Sequence, residues 1–361
     1  MKHVMGWGPM ARGARTGKVL QIAATYVGTV VGAGFASGQE TLRFFAVFGN
    51  HGSWGILVAT ALFVVLGVAV MDLGHTLGAA SHQELLIHTC GPALGRFMDL
   101  LVTSFLLASL SVMLAGGGAV MAQQFGLSTG LGITLTAVVS VVTVLFGLRG
   151  LVAANGVVVP MLTSFVVLVT VGTLWRKGLG PLRLGLQWPE LAAAPHWLLA
   201  ALLYVAYNLI LAVAVLAPLG ATVSDPSVRR QGGILGGLGL GLLALLIKLA
   251  LGGHLPEIGR SEVPLLFIAQ SYAPSFQVIY ALVLWAEIYT TAIGSLYGFA
   301  SRLSLLRRWD YPLMVLGSAA LAAWGSQAGF SRLVSLLYPL YGYASLIFLG
   351  SLGLSLLRRR P

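Results

Sequence analysis

The sequence predicts an all-α integral membrane protein, and three observations carry that prediction. Hydrophobic residues make up 57% of the 361 residues and charged residues only 9%. Soluble domains carry about 25% charged residues, so this chain has too little polar surface for a water-exposed globule. The net charge of +11 comes from basic residues placed between apolar runs, which is typical of orienting charges in membrane proteins and argues against nucleic acid as a partner.

Ten apolar runs are long enough to predict transmembrane helices, since about 20 residues cross the ~30 Å hydrocarbon core. Short surface helices are also expected between Ser81 and Gly91, where Ser81 and Glu84 have capping-box spacing, and over residues 262–272. The ten runs cover residues 18–48, 53–78, 94–125, 130–148, 151–175, 196–217, 229–253, 274–301, 311–325 and 330–357.

The distribution of Lys and Arg predicts the orientation of the chain. With the N-terminus inside, 14 of the 21 basic residues lie on the cytoplasmic side and five on the outer side. This bias predicts a multi-pass protein of the cytoplasmic (plasma) membrane with both termini in the cytoplasm. The basic first 17 residues lack an A-x-A-like exit, so a cleaved signal peptide is not expected.

The order of the runs predicts an internal repeat. Spans one to five occupy residues 18–175 and spans six to ten occupy 196–357, with an extracellular linker at 176–195 and cytoplasmic ends at 1–17 and 358–361. Because five is odd, the second set enters the membrane in the opposite sense, as in an inverted repeat. The first helix of each such repeat is often interrupted near the midplane, so spans one and six are expected to be discontinuous.

The first span holds four glycines between positions 28 and 38. Each costs about 1 kcal/mol relative to alanine in a helix interior. Small residues also allow close helix packing, and Gly28, Gly32 and Ala36 have that spacing. The ionisable Glu40 that follows favours a functional role for this stretch, because charged groups at such depth are expensive in lipid.

The run from Gly28 to Glu40, supported by Tyr204–Asn208 and Pro218–Gly220, resembles the YkvI-like membrane proteins. These are predicted amino-acid permeases of the amino acid–polyamine–organocation superfamily. The resemblance implies a LeuT-like fold, with helices one and six unwound around a central substrate. It also implies sodium-coupled symport of an amino acid or related amine-bearing solute, with Na⁺ as coupling ion and no other cofactor.

The resemblance further implies an ion site and a substrate site. The sodium-coupled pattern G-x-x-V-G-x-G is matched from Gly28 to Gly34, so the carbonyls of Gly28 and Val31 are expected to face Na⁺. Glu287, Thr290 and Thr291 share one face of span eight and offer hard oxygen ligands, although such threonines often bond their own helix carbonyls. Substrate contacts are expected from Val30, Ala33, Gly34, Phe35, Ser37, Ser109, Tyr204, Tyr207 and Asn208.

Two departures from the sodium-coupled pattern limit which sodium sites and which gate of those relatives can be expected in this chain. Relatives with a second sodium ion carry asparagine where this chain has Phe35, and an outer-gate arginine where it has Gly38. We therefore expect at most one sodium ion and a different gate, built from Gln39, Glu40 and Arg43.

Other functions stay open or are disfavoured by the sequence. Proton coupling through Glu287 or Glu40 is the nearest alternative, and a non-transporting sensor or channel is an alternative of another class. An enzyme is not expected, because His75, His82 and His88 miss the i, i+3 or i+4 spacing of paired metal ligands, and a Walker A motif is absent. The substrate and the oligomeric state are not determined by the sequence.

Overall fold

The computed structural model describes residues 12–79, 81–146, 151–178, 188–255, 257–307 and 310–358. This part of the chain is helical and contains no β-strand. Its α-helices are α1 (Arg12–Val30), α2 (Ala33–Ala36), α3 (Gln39–Phe44), α4 (Asn50–Leu77), α5 (His82–Cys90), α6 (Pro92–Phe125), α7 (Thr129–Phe146), α8 (Leu151–Lys177), α9 (Trp197–Thr222), α10 (Pro226–Gly252), α11 (Pro264–Ala269), α12 (Pro274–Arg307), α13 (Tyr311–Ser326) and α14 (Phe330–Arg358).

Within the described residues, eight helices are long and apolar enough to cross a membrane: α4, α6, α7, α8, α9, α10, α12 and α14. They coincide with eight of the ten predicted runs. The ninth run forms α13, whose 16 residues fall short of the usual span. The first run is divided among α1, α2 and α3, so the count of ten crossings remains a prediction. The two expected surface helices correspond to α5 and α11.

The first span is interrupted twice. Helix α1 ends at Val30, and Gly32 has an extended backbone (φ −116°, ψ −173°) before α2 begins at Ala33. A second turn separates α2 from α3 at Gly38, whose φ of +85° lies in the left-handed region. Glycine adopts this region without the steric penalty that a Cβ imposes.

The expected interruption of span six is wrong. Helix α9 runs from Trp197 to Thr222 without a break. Residues 197–217 contain neither glycine nor proline and are rich in alanine and leucine, which favour helix. Pro218 lies within the last turns of α9, and the helix continues past it to Thr222.

The helices form two groups, and the broken span contacts both of them. Helices α1, α4, α9 and α10 pack on one another, and α6, α7, α12 and α13 form a second group. Glycines bring α4 and α9 close, because a Cβ at Gly74 would overlap the Ala217 carbonyl and one at Gly220 would overlap that of Met71. Helix α1 contacts α10 of the first group, whereas α2 contacts α12 of the second. We call the end where α1 begins the N-terminal side, and the end where α3 finishes the opposite side.

Candidate functional site

The break at Val31–Gly32 releases backbone polar groups inside the protein. The Val31 carbonyl and the Gly32 amide have no backbone hydrogen-bond partner among the described residues. The Gly28 carbonyl loses its helical partner as well, since that partner would be the Gly32 amide. Unpaired backbone groups are costly within a membrane, so a polar ligand or ion at this place would recover hydrogen bonding or coordination.

Glu40 folds back from α3 onto this break. Its side chain is buried, and its carboxylate accepts hydrogen bonds from the Phe35 amide and, at 2.7 Å, from the Tyr207 hydroxyl. The carboxylate lies directly over Gly34, where a Cβ would overlap Oε1. In the part of the chain that the structure describes, no Lys, Arg or His forms an ion pair with Glu40.

Aromatic rings from four helices pack around Tyr207, whose hydroxyl donates to the Glu40 carboxylate. The Tyr207 ring centroid lies 5.0 Å from that of Tyr338, 5.7 Å from that of Phe44 and 6.1 Å from that of Phe105. Tyr204 packs edge-on against Tyr207 at 5.7 Å. We call these five residues the aromatic cage: Phe44, Phe105, Tyr204, Tyr207 and Tyr338.

Several predicted substrate residues lie at the break, and the polar ones among them form hydrogen bonds with carbonyls of neighbouring residues. The side chains of Val30, Ala33 and Phe35 are buried there. The Ser37 hydroxyl donates to the Gly34 carbonyl at 2.9 Å, and the Asn208 amide donates to the Tyr204 carbonyl at 3.0 Å. These two groups cap or reinforce their own helices.

Ser109 is placed differently from the other predicted substrate residues. It accepts a hydrogen bond from Ser295 at 3.2 Å and so joins α6 to α12. The α6 side chain that reaches the cage is Phe105, one turn earlier. Phe105 and Tyr338 were not predicted, although an aromatic residue on span three is the signal that could have suggested the first.

A second buried carboxyl, Glu287, lies at the depth of the break. Tyr280 fixes the register of α12, because its hydroxyl donates to the Ala36 carbonyl at 2.6 Å. Glu287 follows seven residues later, about 10 Å along the helix. Val31 precedes Ala36 by five residues, which cover a similar distance toward the N-terminal side. From this register we expect Glu287 near the level of the Val31 carbonyl.

The groups around Glu287 fit a monovalent cation. Glu287 Oε2 is buried and has no hydrogen-bond partner among the described residues. The Thr290 hydroxyl donates to the Glu287 backbone carbonyl at 3.1 Å, which leaves its oxygen lone pairs available. Thr291 is half-buried one residue further on. A carboxylate, hydroxyls and released carbonyls are the hard oxygen ligands that Na⁺ prefers.

A polar network closes the opposite side of the protein. Arg43 donates to Gln39 Oε1 at 3.2 Å, to the Leu191 carbonyl at 3.4 Å and to Ser331 Oγ at 2.6 Å. The Gln39 amide in turn donates to the carbonyl of Ser261 at 2.8 Å. Gln39 and Arg43 thus tie α3 to three other segments, whereas Glu40, the third member of the predicted gate, points into the aromatic cage.

Ion pairs join helices on the N-terminal side. Arg229 at the start of α10 pairs with Asp72 near the end of α4 at 2.9 Å. Asp99 on α6 pairs with Arg302 of α12 and lies 3.2 Å from His82 Nε2 on the surface helix α5. Burial lowers the pKa of His82 from its ordinary value, and the neighbouring Asp99 opposes that shift.

Two cavities flank the centre without reaching Glu40. The larger, about 730 Å³, lies on the opposite side, and its lining includes Gln123, Glu262 and Phe330. The smaller, about 240 Å³, lies on the N-terminal side, and its lining includes Gln21 and Asp225. Glu40 lines neither of these two cavities.

Comparison with known proteins finds two sequence relatives of this chain. No family model matches the sequence. The "Uncharacterized membrane protein YkvI" of Bacillus subtilis (strain 168) is 36% identical over 340 residues, covering 93% of this chain and 95% of the relative. The "Uncharacterized protein YyaD" of the same strain is 27% identical over 327 residues, covering 90% and 92%.

Solved structures share the fold at low sequence identity. MhsT in complex with L-phenylalanine matches with a TM-score of 0.65 and 16% identity, over 95% of this chain and 90% of that one. The Eremococcus coleocola manganese transporter matches with a TM-score of 0.62 and 14% identity, over 98% and 81%.

The fold and the interrupted first span define a LeuT-like multi-helix membrane protein. By its identity to YkvI over nearly the whole length, the chain belongs to the YkvI family. The predicted all-helical, LeuT-like membrane fold is thereby confirmed.

Proposed function

We propose that the protein is a secondary active transporter that moves an amino acid or a related amine-bearing solute by alternating access. The observation that carries this proposal is the break at Val31–Gly32, which exposes backbone groups beside Glu40 at the junction of two helix groups. A binding site at such a junction changes its access when the groups rock against each other. The shared fold of MhsT and the manganese transporter supports transport.

Sodium is the coupling ion of this proposal. The carbonyls of Gly28 and Val31 on the broken span, with Glu287, Thr290 and Thr291 on α12, would hold one Na⁺. Because these ligands come from both helix groups, the ion would stabilise whichever state brings them together. That differential affinity is what couples the sodium gradient to solute movement.

The two polar networks serve as alternating closures in this mechanism. The Arg43 network would open toward the outside and the Asp72–Arg229 pair toward the cytoplasm, with the N-terminal side cytoplasmic as the basic residues predict. Residues 18–175 and 196–357 would act as the two inverted repeats. In this mechanism, a structure in which both networks are formed would be the occluded state.

Proton coupling is a second candidate, favoured by one observation. Glu40 and Glu287 are both buried without a basic partner among the described residues, as expected of a carboxyl that carries a proton. In that case solute uptake would follow a pH gradient and persist without sodium.

Uptake by proteoliposomes tests the function directly. We expect the purified protein to accumulate a radiolabelled amino acid or amine above its external concentration when an inward sodium gradient is imposed. Accumulation driven only by a pH gradient would replace sodium with protons. Binding without accumulation under either gradient would contradict transport and favour a sensor.

A further inference from the structure

Glu40 occupies the position that a solute carboxylate would need. The backbone next to the break offers amide donors, but the Phe35 amide already donates to Glu40. The space over Gly34 is filled by Glu40 Oε1. An incoming carboxylate would therefore compete with Glu40 for the Phe35 amide and would lie beside a second buried carboxylate.

Two like charges in a membrane interior repel strongly, because little water is present to screen them. A positively charged group is favoured for the same reason, since Glu40 has no cationic partner within the described chain. The site therefore lacks a positive charge to balance Glu40, and a solute can supply that charge.

The surroundings of Glu40 select the kind of cation. Tyr204, Tyr207, Tyr338 and Phe44 present ring surfaces within a few ångströms of one another. Aromatic faces attract organic ammonium groups and pack against their carbon chains. A divalent metal would instead require several oxygen or nitrogen ligands, and one carboxylate with a tyrosine hydroxyl does not provide them.

From this geometry we infer that the protein binds an organic amine without a carboxylate, with Glu40 as counter-ion and the aromatic cage around the ammonium group. The inference rests on the proposed transport function and narrows its solute to decarboxylated amines. In the occluded structure the rings touch one another, so binding must part them and place the ammonium between Glu40 and Tyr207.

Pairs of compounds that differ only in the carboxylate provide the test. Thermal stabilisation of the purified full-length protein would be measured with L-phenylalanine against phenethylamine, L-leucine against isopentylamine, and L-ornithine against putrescine. We expect at least one amine to stabilise the protein at about tenfold lower concentration than its parent amino acid. Manganese chloride is included as the metal probe.

Two variants separate the charge of Glu40 from its shape. Glu40→Gln keeps the acceptor for Tyr207 but removes the charge, and should weaken amine binding about tenfold or more. Glu190→Gln, on an exposed turn of the linker, is the matched control and should bind the amine as the parent does. Circular dichroism and size-exclusion profiles confirm that each variant is folded.

The inference would be overturned by amino acids that bind better than their amines, by amine binding unchanged in Glu40→Gln, or by no response to any amine up to about 10 mM, near the weakest affinity such a screen detects. Stabilisation by manganese alone would also overturn it. Sodium-driven accumulation of an intact amino acid would uphold transport while rejecting the amine, so the two proposals fail separately.

Discussion

Glu40 and Gly34 are in direct contact, with the Glu40 carboxylate resting on the bare α-carbon of the glycine. A methyl group at position 34 would overlap Glu40 Oε1 and lie 3.0 Å from a ring carbon of Tyr338. The buried carboxylate and the glycine therefore depend on each other, although six residues and the turn at Gly38 separate them.

We expect Gly34→Ala to destabilise the protein by about 1–3 kcal/mol, the usual cost of overpacking a buried site. Gly28→Ala is the matched control, because its Cβ would meet Val159 at an ordinary 3.6 Å. The melting temperatures of the two variants in detergent, compared with the parent, check this. Equal melting of both variants would show that the centre accommodates the methyl group.

Glu287 should govern the response to sodium. We expect NaCl, compared with an equal concentration of choline chloride, to raise the melting temperature of the parent. Glu287→Gln removes the charge of the one carboxylate available to the ion and should abolish most of that rise. Thr290→Val, which keeps the side-chain shape but not the hydroxyl, should reduce it. Sodium titrations that coincide for parent and variants would refute the ion site.

Arg43 should hold the opposite side closed. Arg43→Lys cannot reproduce the three hydrogen bonds of the guanidinium, and each one to a charged group is worth about 1.5–3 kcal/mol. With Cys90→Ser as background, Ala119→Cys in the larger cavity reports opening by maleimide labelling. The labelling rate should rise about tenfold for one lost bond. Arg332→Lys, an exposed neighbour of the network, should leave the rate unchanged.

Acid should weaken the fold through His82. The folded chain lowers the pKa of His82 below its unfolded value of about 6.5, so the native state binds this proton less readily. The free energy of unfolding is expected to fall as the pH drops below about 6.5, until both states are protonated. His82→Gln should flatten this part of the pH profile in thermal melts, whereas the exposed His51→Gln should retain it. A parent slope that survives His82→Gln would assign the effect elsewhere.

Hydropathy located the helices because lipid requires long apolar runs, and the observed helices follow the predicted spans closely. The interruption of the first span was predictable from its glycines, which lower helix propensity. The interruption expected in span six came from the inverted-repeat rule and from the resemblance, and that stretch has no residue to cause it. A tract from Trp197 to Ala217 without glycine or proline stays helical.

The site was only partly predictable. Tyr207 and Gly34 were expected near the solute, but their meeting with Glu40 depends on the turn at Gly38. Gln39 and Arg43, four residues apart, share one helix face, while Glu40 is rotated by about 100° from Gln39. Tyr338 lies far along the chain from these residues, and its approach depends on packing that no local pattern reveals.

The uninterrupted α9 makes the two halves of the protein unequal. If the two repeats move relative to each other, bending is expected at Val31 and Gly32. Helix α9, which packs on α4, would then move as a rigid body. The protein then has one flexible break in its helices rather than two, so fewer conformational changes are available to it. Reducing the flexibility of this break, for instance with proline at Gly32, would then block the relative movement of the repeats completely rather than in part.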